Sequence, residues 1–410
     1  MNYSTNHTIY LQDGSLFNFR KRFKKHHQTL IQAFSKVIDG RSRFGKRHPL
    51  VLILIILFGG ITAGNTTVKD CRIWAIHNRK WLQKVTGWDG LMPHGIPDQR
   101  TLSRAIQKVD IDSLVTAYLF WRKLLYGLDL SLVASFDGKT MNGIHGKERV
   151  KHILSLFSHT THQILGQIGV TQKENEIPAF RRLLSEQKPF VYGMLLVGDA
   201  LHTQKETVKL ILNSHAHYLL FAKGNQDTLE TNLKTFFDNL PFKTVINQAI
   251  DQDSERGRDV KTTITISHDN LMCEYLVKEH GWEGVQTVGK IHRFGTRTEV
   301  DQKIRTKVVK EIDETVYLIS SKDFTAKQIA IHTRNHWSIE NNLHWQKDYL
   351  FLEDRCTLKN GNAPQVMTFL RSMCLSLFNL WQFISPTEVI SNFKSCTAIH
   401  HNFLRMAGVV

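Results

Sequence analysis

The sequence predicts an α/β protein, with a mixed-sheet core interrupted by a β-rich insertion and preceded by an N-terminal helical domain. Three observations carry that expectation. From Leu50 to about Tyr126 the apolar residues fall in helical patterns. Near Leu128 the texture changes to short apolar runs in the order strand, strand, strand, helix, strand, helix, strand. From Asn225 to about Asp313 that rhythm breaks into polar, charge-rich stretches, some of them alternating, such as Thr262–Ile266 and Thr287–Ile291. The main sheet resumes at Val316–Ser320. The chain therefore divides into a basic arm (1–48), a helical domain (49–127), a core in two pieces (128–224 and 314–384), the insertion (225–313) and a tail (385–410).

The 410 residues, 41% hydrophobic and 22% charged, have the composition of an ordinary globular protein with room for more than one domain and a large core. Lys and Arg (53) outnumber Asp and Glu (37), a net charge of +16, which argues for a polyanionic partner such as nucleic acid. Ribosomal, membrane-surface and merely soluble proteins share that balance. Cys71, Cys273, Cys356, Cys374 and Cys396 form no Cys-x-x-Cys pair, which disfavours a zinc ribbon, and scattered thiols suit a reducing cytoplasm. The first apolar run, Leu50–Phe58, comes too late for a signal peptide. It is also well short of the ~20 residues of a membrane span, so it reads as a buried helix.

In the arm, Arg20, Lys21, Arg22, Lys24 and Lys25 cluster with His26 and His27, and Arg41, Arg43, Lys46 and Arg47 follow. Such clusters meet phosphates through charge, or form a solvated arm. Thr66 to Asp70 reads as a capped helix start, with Ile73, Trp74 and Ile76 on its apolar side. Asp98 is the expected cap of a second helix, on which Arg100, Arg104 and Lys108 lie four apart on one face. A short helix, a turn and a basic helix fit a helix-turn-helix reader of DNA; a small helical bundle gives the same pattern.

In the core, Leu130–Phe136 reads as an apolar strand ending in Asp137-Gly138-Lys139-Thr140. Strands near His152–Phe157 and Ile164–Val170 follow, with Gly166 and Gly169 suggesting tight packing or a bulge. Glu176–Gln187 reads as a helix, Phe190–Val197 as a second apolar strand ending in Gly198-Asp199-Ala200, Thr203–Ala216 as a helix, and Tyr218–Ala222 as a strand ending in Lys223-Gly224-Asn225-Gln226. Both apolar strands thus end in an aspartate, and in open α/β sheets ligands gather at the carboxyl ends of strands. A capping or loop-start role for each is the plainer alternative. Arg256, Arg258, Lys261, Arg293, Arg297, Lys303, Arg305 and Lys307 make the insertion basic. The tail holds a helix over about Gln365–Trp381, then a polar loop and a short apolar segment.

The stretch from His336 to Trp345 reads as a helix. Counting from Glu340, positions three, four and seven away bring His336, Trp337, His344 and Lys347 to one face. One carboxylate among two histidines, a tryptophan and a lysine suggests chemistry; an aromatic-rich core helix with a salt-bridged glutamate is the alternative. Asp137, Asp199 and Glu340 together offer hard oxygen ligands of the kind that hold Mg²⁺ with substrate phosphate. Paired ions ~4 Å apart can stabilise the attacking and leaving oxygens of a displacement at phosphorus. Lys347 is placed to orient a phosphate, and His202, three residues past Asp199, to sit beside the carboxylates or simply to start a helix.

The motifs Asp137-Gly138-Lys139-Thr140, Asn175-Glu176-Ile177-Pro178-Ala179, Gly198-Asp199-Ala200-Leu201-His202-Thr203-Gln204, Lys223-Gly224-Asn225-Gln226 and Arg334-Asn335-His336-Trp337-Ser338-Ile339-Glu340-Asn341 occur in that order. The chain from about Asp39 to Leu380 resembles the DDE transposases of bacterial insertion sequences, in the branch with the H-repeat-associated proteins. Tyr317-Leu318-Ile319-Ser320-Ser321 and Glu353-Asp354-Arg355 share the likeness. The resemblance implies an RNase H-like core with Asp137, Asp199 and Glu340 as the acidic triad, the insertion lying between the last two. It implies Mg²⁺-dependent cleavage of element ends (Mn²⁺ as a possible substitute) and attack of the freed 3′-hydroxyl on target DNA. It also implies double-stranded DNA as partner, a DNA-induced homodimer, no membrane, and a cytoplasmic, nucleoid-associated place in a bacterial cell. Around the carboxylates it places Lys347, His202, His336 and Asn341. On DNA, Arg334 joins Arg100, Arg104, Lys108, Arg256 and Arg258. Trp337 and Trp345 are candidates to stack an extruded base, or to pack in the core. The chain departs from the family at Asn142, where arginine is usual, at Arg256-Gly257-Arg258-Asp259-Val260 for a His-Gly-Arg-Ile-Glu element, and at Thr333 and His336 for tyrosine and arginine; Lys347 matches the trailing lysine. An inactive terminal-repeat binder and a structure-specific nuclease on the same fold are the competing readings.

Overall fold

The computed structural model describes residues 8–10, 16–18, 29–86, 94–126, 133–141, 150–171, 175–241, 244–254, 257–300, 306–336, 339–383 and 385–409. Strands β1 (Thr8–Tyr10) and β2 (Leu16–Asn18) come first, then helices α1 (Thr29–Ser35), α2 (Leu50–Thr62), α3 (Val68–His77), α4 (Arg79–Thr86), α5 (Gln99–Ile106) and α6 (Ile111–Tyr126). Strands β3 (Val133–Thr140), β4 (Val150–Ser158) and β5 (Ile164–Thr171) follow, then α7 (Glu176–Val191), β6 (Leu195–Gly198), α8 (Lys205–Asn213), β7 (His217–Ala222) and α9 (Asp227–Asp238). Next are β8 (Ile246–Asp253), β9 (Arg258–Ser267), α10 (Asn270–Lys278), β10 (Thr287–Val300) and β11 (Lys307–Ser320). The chain closes with α11 (Ala326–His336), α12 (Trp345–Phe351), α13 (Ala363–Leu380), α14 (Pro386–Ser395) and α15 (Thr397–Met406). The fold class is the mixed α/β architecture expected, with helices ahead of a large mixed sheet.

Two compact units divide the chain: Met1–Leu130 with Gly138–Asn175 and Glu340–Val410, and Ser131–Asp137 with Glu176–Ile339. In the first unit, α2 is apolar all round and buried all round, as the unbroken run Leu50–Phe58 requires. Gly59 and Gly60 let α3 approach it closely. A Cβ on Gly59 would overlap the Trp74 indole, and one on Gly60 would stand 2.7 Å from the Cys71 backbone. Thr67 caps α3 by accepting from the Asp70 N–H, and Asp98 caps α5 by accepting from the Arg100 N–H, both at the expected starts. Strands β4 and β5 form an antiparallel pair. Gly169 in β5 leaves room for Val150 and Gln365, within 2.9 Å of where its Cβ would be. Among the described residues no helix is long and apolar enough to cross a membrane.

In the second unit the strands run in the order β3-β6-β7-β11-β10-β9-β8. β3, β6 and β7 are parallel, and β11 adds to β7 antiparallel with Tyr317 opposite Ala222. One face carries a core of Leu195, Val197, Leu219, Phe221, Ile264, Ile291 and Leu318, closed by Phe324, Ala326 and Ile329 from α11 and the turn before it.

Three expectations are corrected. Phe190 and Val191 end α7 rather than opening a strand, and β6 is short, Leu195–Gly198. The segment read as a β-rich insertion shares the sheet of the second unit: β10 and β11 are 14-residue strands that run on from it, and helices α9 and α10 lie among its strands. The tail beyond 385 is two helices, because Ser385 accepts from the Glu388 N–H, Pro386 sits in the first turn, and Val389, Ile390, Phe393, Ile399, Phe403 and Leu404 fall at helical spacing and are buried. The stretch around Glu340 is no single α-helix. α11 ends at His336, Glu340–His344 forms a π-helical turn, and α12 begins at Trp345. A π turn adds a residue to each loop of the ladder, so the face counted from Glu340 does not hold through to Lys347.

Candidate active site

The register of β3 and β6 sets the first two acidic residues. These strands are parallel, with Ser135 opposite Val197 and Phe136 opposite Gly198. The next residue on each is Asp137 and Asp199, and adjacent strands lie ~4.8 Å apart. Alternation gives Asp137 the same face as Ser135, and Asp199 the same face as Val197. Asp137 is half-buried and Asp199 exposed.

The residues between them explain how the pair is held. Gly198 has no side chain because the Phe136 ring fills its place; a Cβ there would overlap the ring. Phe136 stacks on Phe180 of α7, with centroids 3.8 Å apart, and meets the edge of the His202 ring at 4.9 Å. His202 is therefore a buried packing group on the strand face opposite that of Asp137, with its Nε2 3.6 Å from Glu176 Oε2. Its expected place beside the carboxylates is not the one observed.

Past Asp199 the chain is clamped at three points. Asp199 Oδ1 accepts from the Ala200 N–H at 2.6 Å, Asn225 Nδ2 donates to the Ala200 carbonyl at 2.6 Å, and the Thr203 hydroxyl donates to the Phe221 carbonyl at 2.6 Å. The Lys223-Gly224-Asn225-Gln226 motif thus braces the turn that presents Asp199. His336, at the end of α11, places Nδ1 3.0 Å from the Ser135 hydroxyl, on the face that alternation gives Asp137.

Glu340 opens the π turn and is exposed, as is Asn341. It belongs to the first unit, whereas Asp137 and Asp199 belong to the second. Lys347, expected to meet phosphate, is fully buried with its ammonium 3.0 Å from Glu353 Oε2. Trp345 and Tyr349 stack on one another at 4.9 Å and 7° and are both 57% exposed. Trp337 and Arg256 lie outside the described residues, as do Asn142 and the basic cluster at 20–27.

The other DNA-facing expectations fare unequally. Arg100 and Arg104 are exposed on α5, and Lys108 is exposed just beyond its end. Arg258 lies 3.6 Å from Asp253, and Arg334 pairs with Asp251. In the arm, Asp39 holds Arg41 at 2.8 Å and Lys46 at 3.7 Å. Sequence reasoning does not single out Ser135, and it quotes Asn225 and Glu353 within motifs without giving them a role. Ser135 and Asn225 brace the segments that carry the two aspartates, and Glu353 gathers cations. A lone arginine, Arg371, inside the apolar helix Ala363–Leu380 was the available signal for Glu353, since a buried guanidinium requires an anion.

Among the described residues no three His, Cys, Asp or Glu side chains are gathered to hold an ion by themselves. The candidate donors in the second unit are two carboxylates, each one residue past the paired stretch of two neighbouring strands. That number and chemistry fit Mg²⁺, which takes one or two carboxylates and keeps water or substrate phosphate in its other positions.

Comparison with known proteins gives the family. The family model described as "Transposase DDE domain" matches residues 130–377, and that described as "DDE_Tnp_1-associated" matches 31–122. A relative from Escherichia coli O157:H7, "Putative transposase YncI", is 28% identical over 357 residues, 85% of this chain and 87% of that protein. "H repeat-associated putative transposase YhhI" from Escherichia coli K12 is 26% identical over 357 residues, 85% and 89% of the two chains. An "Uncharacterized protein in dhlA 3'region" of Xanthobacter autotrophicus is 25% identical over 251 residues, 60% and 82%. Since the first model spans more than half of the chain, the chain belongs to the DDE transposase family.

Proposed function

We propose that this protein cuts insertion-sequence ends and joins them to target DNA by phosphoryl transfer with Mg²⁺, Mn²⁺ serving as a substitute. The observation that carries the reading is the register that sets Phe136 opposite Gly198, so that Asp137 and Asp199 each come one residue past the paired stretch of β3 and β6. Family membership supports a DNA-cleaving enzyme that uses a divalent metal. Asp137 and Asp199 are the carboxylates that would hold the ion, with Glu340 as the third acidic residue. When bound, the ion lowers the charge on the scissile phosphate and makes water or a 3′-hydroxyl a competent nucleophile. Asn225 and Thr203 keep Asp199 on its turn, Ser135 and His336 fix the strand leading to Asp137, and Phe136 under Gly198 keeps the two strand ends adjacent.

The net charge of +16 supports a DNA partner. Arg100, Arg104 and Lys108 are the exposed cations of the helical part that would meet backbone phosphates. A DNA-induced homodimer follows from the need to hold two ends, and a place near the bacterial nucleoid from the substrate. The test is cleavage of DNA carrying the inverted repeats that flank the reading frame. Nicking should require Mg²⁺ or Mn²⁺, and Asp137→Asn, Asp199→Asn and Glu340→Gln should each abolish it while leaving binding in EDTA intact. Undiminished cleavage by Glu340→Gln would remove Glu340 from the site. Binding without cleavage in any metal would favour an inactive terminal-repeat binder, and cleavage of unrelated branched duplexes without strand transfer a structure-specific nuclease.

A further inference from the structure

Glu353 lies just past α12 in a 3-10 turn, and its side chain is 5% exposed. Three cations converge on it. Lys347 Nζ stands 3.0 Å from Oε2, Lys139 Nζ 3.5 Å from Oε2, and Arg371 Nη1 3.6 Å from Oε1. Lys347 and Arg371 are themselves buried, at 0% and 1%. Lys139 also donates to Asp348 and to the His344 carbonyl at 3.3 Å, and lies 3.9 Å from Asp354. Arg371 donates to the Thr66 carbonyl at 3.0 Å. Burial alone would raise the Glu353 carboxyl, but Lys347, Arg371 and Lys139 outweigh it and hold the group at about 2. Burial pulls Lys347 below the ordinary lysine value, against the pull of Glu353.

A buried ion cluster is poor evidence for stability, because desolvation offsets most of the attraction and apolar replacements are often as stable. Its geometry is the informative part. Lys139 comes two residues after Asp137, on the outgoing end of β3, and Lys347 comes seven residues after Glu340. Both meet the same carboxylate. The cluster therefore joins the segment that leaves the first aspartate to the segment that follows the glutamate, through charge-assisted contacts that have few alternative arrangements.

We propose that Glu353 is a positioning residue, which locks the Lys139 segment to the Lys347 segment within the first unit and so steadies the stretch of chain that leaves Asp137 and the stretch that follows Glu340. In this role Lys347 is an internal strut rather than a phosphate contact. The proposal rests on the transposase reading given above, but its structural half can be measured without catalysis.

The test compares the parent with Glu353→Gln and with the triple variant Lys347→Met, Glu353→Leu, Arg371→Met. Apolar replacement of Lys347, Glu353 and Arg371 removes the link through Glu353 while sparing the fold and the separate Lys139–Asp348 pair, and Glu353→Gln leaves buried cations without their counter-ion and serves as the harsher control. Three readouts are needed: melting temperature, amide hydrogen exchange by segment, and cleavage kinetics on end DNA. The triple variant should melt near the parent. Exchange over 138–140 and 345–353 should quicken while the rest of the chain keeps its protection. The value of kcat should fall about tenfold or more with KM for end DNA unchanged. Parent-like exchange in those segments overturns the proposal, and so does quickened exchange with undiminished kcat. Should the parent not cleave at all, the transposase reading fails, while the exchange data alone still decide whether Glu353 locks the two segments.

Discussion

Phe136 and Gly198 face one another across parallel strands β3 and β6, and the Phe136 ring occupies the space where a side chain on residue 198 would lie. The residue after each is an acidic candidate, so this contact lies next to Asp137 and Asp199 in the chain. Gly198→Ala should destabilise the protein by about 1–3 kcal/mol, the range of overpacking a close-packed site. The ring cannot yield easily, because Phe180 stacks on its far side at 3.8 Å. Adding Phe136→Leu should recover part of the melting temperature in the double variant. Thermal unfolding of the two variants and the parent checks this; additive losses would mean that the two positions do not share space.

Asn225 donates to the Ala200 carbonyl at 2.6 Å and so braces the turn that presents Asp199. Asn225→Ala should cost about 0.5–1.5 kcal/mol of stability. Its larger effect should be on the cleavage rate, since Asp199 loses a support for its turn. A fall in melting temperature without any fall in kcat would show the brace to be merely local.

Arg100 and Arg104 project into solvent from α5. If they meet DNA phosphates, Arg100→Ala/Arg104→Ala should weaken binding to all duplexes alike. The slope of log K against log salt should flatten by about 1 for each phosphate no longer neutralised. Titrations of end DNA and random DNA at several salt concentrations measure this, and an unchanged slope would place the DNA elsewhere.

The C-terminal helices should make stability fall in acid. His400 is buried, with Nε2 2.8 Å from the Thr62 hydroxyl. That hydroxyl donates to the Gly59 carbonyl, so Nε2–H must be the donor. Burial, and to a lesser extent His401, push its pKa down to about 3. A histidine whose folded pKa is depressed binds fewer protons in the folded than in the unfolded state between that value and about 6.5. Stability is therefore fully present above about 6.5 and is lost as pH falls toward 3, by about 1.4 kcal/mol per pH unit for this one group. Urea unfolding from pH 7.5 to 4.5 should show that slope, and His400→Gln should flatten it. An unchanged slope in the variant would assign the acid sensitivity to other groups.

The parts of this molecule that are legible in the sequence are those where local pattern and tertiary need agree. Leu50–Thr62 has no polar face and is buried all round. Thr67 and Asp98 cap the helices whose starts they mark. The apolar runs ending in Asp137 and Asp199 become neighbouring strands, because an α/β alternation leaves few other places for them. The parts that are not legible depend on partners distant in the chain. Nothing local distinguishes Lys347 as a phosphate contact from Lys347 as an internal strut, and Glu353 and Arg371 decide it. The π turn at Glu340–His344 breaks the helical count from Glu340, and periodicity arguments assume a constant 3.6 residues per turn. The nearness of His202 to Asp199 in sequence suggests a place beside the carboxylates, yet alternation puts Phe136, the ring it packs against, on the other face of the strand from Asp137. The tail looks like a loop in sequence because each of its helices is ten residues long, too short for a strong periodic signal.

The most direct measurement is the metal requirement of an Asp199→Cys variant on end DNA. A thiolate is a poor ligand for Mg²⁺ and a better one for softer ions. If Asp137 and Asp199 share a catalytic cation, the variant should be inactive in Mg²⁺ and recover cleavage in Mn²⁺ or in Mn²⁺ with a trace of Cd²⁺, while Asp199→Ala stays inactive in both. Cleavage by Asp199→Cys in Mg²⁺ at the parent's rate would contradict a metal-holding role for Asp199.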